Sequence, residues 1–110
     1  MSPRAAVLSP SMLDAVAGQF RALSEPARLR LLQMLRGGPA SVTDLAARTG
    51  LSHANASKHL LVLAGAGFVV RREEGTRTVY ALADATTQTL CELMCDRVTR
   101  RAEADFRRLR

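Results

Sequence analysis

A chain of 110 residues, 47% hydrophobic yet with no Trp, one Tyr and three Phe, suffices for one domain whose core is Leu, Val and Ala. Its formal net charge of +6 attracts a polyanion, nucleic acid or an anionic membrane surface. Two cysteines are too few for a disulfide framework, and the longest apolar run, Leu60–Val70, is broken by Gly65 and Gly67 and falls far short of the ~20 residues of a membrane span.

Residues 1–10 hold two prolines and two serines and read as a flexible N-terminal arm ahead of one unit over residues 11–110. With only the short apolar run Ala5–Leu8, the arm is no secretory signal, and the two cysteines read as free thiols, so the expected compartment is the cytoplasm. From Ser11, the residues Leu13, Val16, Ala17, Phe20 and Leu23 share one helical face and predict a first helix to about Leu23. Ser24-Glu25-Pro26 then offers a Ser cap, an acid and a first-turn proline. The second helix buries Leu29, Leu32 and Leu35 and ends at Gly37-Gly38-Pro39.

Ser41 caps a short third helix burying Val42, Leu45 and Ala46, with Asp44 placed as in a capping box. It stops at Gly50, and Ser52 caps a fourth helix with Ala56, Leu60 and Leu63 at the spacing of a buried stripe. Two short helices about a tight turn with Gly make a helix-turn-helix. Gly65 and Gly67 end the fourth helix. Residues 68–73 and 77–82 read as strands about the turn Glu74-Gly75-Thr76, in which Gly75 supplies a positive φ. Such a hairpin is a wing. A last helix over residues 85–108 is roughly 35 Å long at 1.5 Å per residue, with an apolar stripe of Leu90, Cys91, Met94, Cys95 and Val98.

The fold class is therefore mainly α, a winged helix-turn-helix of order α-α-α-α-β-β-α. A final helix of that length outruns its own domain, as does the stripe on the first helix, so a two-fold homodimer through these two helices is expected. The pair would carry +12, twice the charge of one chain.

The fourth helix holds the candidate site. A helix buried along one stripe, with small hydrogen-bonding groups at its N-terminus, suits the major groove of DNA. Its candidate DNA-binding residues are Ser52, whose cap leaves helix N–H groups facing a phosphate, then His53, Asn55, Ser57 and Lys58. His59 lies nearer the buried stripe and is assigned to packing. On the wing, Arg71, Arg72 and Arg77 suit phosphates or a minor groove, against the plainer reading of a hairpin salted by Glu73 and Glu74. Fifteen of the sixteen basic residues are Arg. That bias also fits a GC-rich genome, so charge supports this reading without carrying it.

This arrangement resembles the ArsR/SmtB family of bacterial winged-helix repressors. The resemblance rests on Phe20-Arg21-Ala22-Leu23-Ser24-Glu25-Pro26-Ala27-Arg28-Leu29-Arg30-Leu31-Leu32, on Leu51–Leu60, on Leu63–Val69 and on Tyr80-Ala81-Leu82. It implies a homodimeric repressor on a palindromic operator, released by an inducer. The family's soft-metal motif, Cys-Val-Cys-Asp on the third helix, corresponds here to Ser41-Val42-Thr43-Asp44. Its second metal site, on the last helix, corresponds to Asp84, Thr86, Arg97 and Arg100. Both thiolates of the first are gone, and two positions of the second carry fixed positive charge that repels a divalent cation.

Three regulatory readings follow. Cys91 and Cys95, four apart on one helix, are a candidate sensor for nickel, zinc or arsenite through thiolates, or for a thiol-reactive species. As small apolar residues on a stripe they equally suit plain packing. A separate co-regulator protein could instead gate a repressor that has lost its own metal sites. From another class, the winged helix could be a protein-interaction module. An enzyme is excluded: no glycine-rich phosphate loop or catalytic cluster is present, and both His residues lie on the fourth helix.

Overall fold

The computed structural model describes residues 7–109. Its elements are α1 (Pro10–Ala22), α2 (Pro26–Leu35), β1 (Ala40–Ser41), α3 (Val42–Thr49), α4 (His53–Gly65), β2 (Val69–Glu74), β3 (Arg77–Leu82) and α5 (Ala85–Arg108). All five expected helices are present. Most of the expected arm, residues 1–6, lies outside the described residues, and Pro10 already belongs to α1, with Ser9 Oγ accepting the Met12 amide at 3.2 Å.

The centre is built from Leu31, Leu32 and Leu35 of α2, Leu45 of α3, and Leu60 and Leu63 of α4, closed by Phe68, Val69 and Tyr80 of the wing. Each fully buried leucine contributes on the order of 2 kcal/mol of apolar transfer, which holds the helix-turn-helix against α2. The expected stripe of α2 needs one correction. Leu29 is 46% exposed, and Leu31 takes the buried place at full burial. Its start is also different. Ser24 Oγ donates to the Arg21 carbonyl at 2.7 Å, closing the end of α1, and Glu25 occupies the N-cap of α2 with no side-chain hydrogen bond to it. With Pro26 the first helical residue, Ser24 stands one place before the N-cap, and its hydroxyl bonds back to the preceding turn instead.

The sheet has three strands in the order β1-β3-β2, all antiparallel. β1 is an addition to the sequence reading: two residues, Ala40 and Ser41, pair with Tyr80 and Val79, a strand too short to show alternation. In the hairpin, β2 begins at Val69 rather than at Phe68, and Glu74 pairs with Arg77. The turn is therefore Gly75-Thr76, two residues rather than three, with Gly75 at φ 62° as a tight hairpin requires.

α5 is anchored only at its start. Thr87 is its one buried residue, Leu90 and Cys91 are half-buried, and Met94, Val98 and Phe106 are at least half exposed. On α1, Leu13 and Phe20 are likewise more than half exposed, and only Ala22 is buried. Two apolar stripes thus stand uncovered within one protomer. Among the described residues, no helix is long and apolar enough to cross a membrane.

Candidate nucleic-acid interface

The reading head is shaped by two caps. At the end of α3, Gly50 takes φ 74°, the left-handed region that terminates a helix and turns the chain. Two residues on, Ser52 Oγ accepts the Asn55 amide at 3.1 Å and starts α4. The remaining first-turn N–H groups of α4 have no intrahelical acceptor and suit an anion. Ala56, Leu60 and Leu63 are fully buried, which fixes the roll of α4. The outer side presents His53, Ala54, Asn55 and Lys58, all exposed, while Ser57 is half-buried at its flank.

His59 faces α2, as the packing assignment expected, but through polar contact. Its Nδ1 accepts from Arg28 Nε at 3.2 Å and lies 3.6 Å from the Glu25 carboxylate. On the wing, Arg71 Nε donates to Glu73 at 3.1 Å and Arg72 Nε to Glu74 at 2.7 Å. Arg77 makes no ion pair among the described residues, so its guanidinium is the uncommitted one. The salted-hairpin reading thus holds for two of the three arginines. Tyr80, buried beneath the wing, has its hydroxyl pKa raised, by burial first and by Glu73, against the opposing charge of Arg71.

Two exposed residues stand outside the candidate contacts. Ala54 lies in the middle of the exposed side of α4, and its methyl suits a thymine methyl. Helical phase puts it on that side, but it has no polar group to mark it as a contact. Arg48, at the end of α3, is half exposed and 3.6 Å from Asp44, where the first helix of such a pair crosses the phosphate backbone.

A helix-turn-helix domain family model matches residues 23–72. The HTH-type transcriptional regulator CmtR of Mycobacterium tuberculosis is 45% identical over 72 residues, 66% of this chain and 61% of that protein. The chain thus spans less than two thirds of that relative. A solution structure of a homodimeric winged helix-turn-helix DNA-binding domain from Mycobacterium bovis, described as a possible ArsR-family transcriptional regulator, superposes with a TM-score of 0.77 at 33% identity, over 86% of this chain and 90% of that one. The chain belongs to the ArsR/SmtB family. The crystal structure of Rv0081 from Mycobacterium tuberculosis agrees, with a TM-score of 0.76 at 31% identity over 89% of this chain and 97% of that one.

The positions of the two ArsR/SmtB metal sites are committed elsewhere in this chain. Ser41 Oγ accepts the Asp44 amide at 3.1 Å as the cap of α3, and Thr43 is exposed. Asp84 caps α5, its Oδ1 accepting from Thr87 N at 2.9 Å and Thr87 Oγ1 at 3.1 Å. Thr86, Arg97 and Arg100 are exposed, and Arg100 pairs with Asp96. These residues do not fit a transition-metal ion. Among the described residues, no three His, Cys, Asp or Glu side chains of one protomer converge on a metal-sized site.

Cys91 and Cys95 are free thiols on the wall of a cavity of about 540 Å³ shared with Phe20, Leu29, Arg30 and Met94. The Cys91 pKa is raised, chiefly by burial and then by the neighbouring Cys95, with Arg36 opposing. That disfavours the thiolate a soft metal requires.

Proposed function

We propose that this chain is a transcriptional repressor that binds a palindromic operator as a homodimer. The observation that carries the reading is the head itself: α4 is locked in roll by three fully buried residues, capped by Ser52, and presents His53, Ala54, Asn55 and Lys58 outward. His53, Asn55, Ser57 and Lys58 read base edges or phosphates, and Ser52 offers the helix N-terminus to a phosphate. Arg77 serves the wing, with Arg71 and Arg72 secondary because Glu73 and Glu74 already neutralise them. The uncovered stripes of α1 and α5 pair across a two-fold axis, setting the heads about 34 Å apart. Selection from a random DNA pool tests the reading. An enriched palindrome whose gel shift weakens in a Ser57→Ala, Lys58→Ala variant supports it, and no enrichment would favour a protein-interaction module instead.

For regulation, the reading best supported is a repressor without a resident metal, gated by a separate co-regulator protein. The capping roles of Ser41 and Asp84 and the cations at Arg97 and Arg100 support it. A second reading keeps Cys91 and Cys95 as a sensor for a thiol-reactive inducer or a soft metal, because both thiols line one cavity. A screen of nickel, zinc, arsenite and thiol oxidants for release of operator DNA separates the two. Release that disappears in a Cys91→Ser, Cys95→Ser variant establishes the sensor, and absence of release leaves external gating.

A further inference from the structure

Two side chains fasten the reading helix to α1, and neither belongs to the core or to the proposed DNA contacts. Arg28, at the start of α2, is only 14% exposed in its side chain. Its Nη1 donates to the Ala22 and Arg21 carbonyls at 3.3 and 3.5 Å, at the C-terminal end of α1. Its Nε donates to His59 Nδ1 on α4, and Nη2 lies 3.7 Å from the Glu25 carboxylate. Past that mid-helix contact, at the C-terminal end of α4, Gln19 Nε2 of α1 donates to the Ala66 carbonyl at 2.9 Å, and Ala66 is the C-cap of α4.

A guanidinium is a rigid planar fork, so the groups bound to its separate nitrogens are held at set mutual positions. Apolar burial supplies little of this here. α1 buries only Ala22 within its own protomer, and hydrophobic contact is non-directional. The end of α1 is also where a cation complements the helix dipole. Arg28 and Gln19 thus supply directional bonds that link α1 to α4.

We propose that Arg28, together with Gln19, is a positioning residue that locks the reading helix to the dimer helix α1, so that packing of α1 across the dimer sets the separation of the two heads. This deepens the dimeric DNA-binding reading and rests on it. Arg28 touches no DNA in this scheme; it acts through His59.

The test uses the full-length dimer on its selected operator and on operators with the half-site spacing changed by one base pair. Wild type discriminates against altered spacing by roughly tenfold, one step of about 1.4 kcal/mol. Arg28→Lys, Gln19→Ala keeps the charge but loses the fork, and its discrimination falls below about threefold. Dimer mass in sedimentation and affinity for an isolated half-site stay within about twofold of wild type, since the heads themselves are intact. His59→Gln, which retains an acceptor for Arg28, keeps the wild-type discrimination, whereas His59→Leu loses it. Unchanged discrimination in the double variant overturns the proposal. So does an equal loss on half-site and full operator, which is the signature of a merely destabilised fold. If wild type selects no DNA, the DNA-binding reading falls, and hydrogen exchange in the free dimer decides the lock. The amides of α4 then exchange about tenfold faster in the double variant while those of α3 stay unchanged; equal rates overturn it.

Discussion

Arg30 Nη1 donates to the Thr49 carbonyl at 2.9 Å, joining α2 to the last residue of α3 where the chain turns toward α4. Thr49 is itself buried, with its hydroxyl donating to the Leu45 carbonyl at 2.7 Å. The carbonyl at this helix end has lost its intrahelical donor, and the arginine supplies a charged one. Arg30→Met should lower stability by about 1–2 kcal/mol by leaving that acceptor unpaired. The check is a urea midpoint that falls at unchanged m-value; an unmoved midpoint would show that water replaces the guanidinium without cost.

The turn itself depends on Gly50. At φ 74° a Cβ carries a penalty of about 1 kcal/mol, and no neighbouring atom lies within 4 Å to add a clash. Gly50→Ala should therefore lower the thermal midpoint by several degrees, as a domain of ~100 residues shifts 4–8 °C per kcal/mol. Gly50→Asn should cost less, because Asn tolerates the left-handed region. Equal midpoints for Ala and Asn would argue that the strain is relieved by a shift of the turn.

The wing arginines should separate by salt dependence. Arg77 has no carboxylate partner among the described residues, whereas Arg72 is paired with Glu74. Arg77→Ala should flatten the slope of log affinity against log salt by about 0.9, one phosphate contact. Arg72→Ala should change it less, since that guanidinium already has a counter-charge. Salt titrations of the operator complex read the difference, and the opposite ranking would reassign the wing contact.

Thiol chemistry should follow the raised Cys91 pKa. Its upward shift, from burial first and the adjacent Cys95 second, keeps more of it protonated at neutral pH than an ordinary thiol of about 8.5. Alkylation of Cys91 should therefore be slow at neutral pH and still climbing as pH rises past the ordinary thiol value. Cys95→Ala removes one cause and moves the curve back toward lower pH; Arg36→Ala moves it further up. Mass spectrometry of iodoacetamide-treated protein across pH measures this, and half-maximal reactivity below the ordinary value would refute it.

Much of the reading head was legible in the chain because its determinants are local. Ser41 and Ser52 cap the amides three residues on, and Gly50 stops a helix by backbone sterics alone. The stripe Ala56, Leu60 and Leu63 follows from helical period. The two-residue β1 left no trace because strand alternation needs several residues. Leu29 and Leu31 exchanged roles because a stripe in a short helix is compatible with more than one roll, and only the neighbours choose. Ser24 misses the N-cap of α2 because that helix starts at Pro26, and propensity does not fix a boundary to one residue.

The sequence by itself determined the order of helices and wing, the caps, the buried stripe of α4 and the loss of thiolates from Ser41 and Thr43. These rest on bonds and sterics between residues within a few positions of one another. Only the tertiary structure decided which cations are free and which are spent. Among the described residues Arg77 has no ion-pair partner, Arg71 and Arg72 face Glu73 and Glu74, Arg30 holds the Thr49 carbonyl, and Arg28 ties α1 to His59. A guanidinium reaches several ångströms in many directions, so its partner is set by what the fold brings near it, not by the residues beside it in the chain.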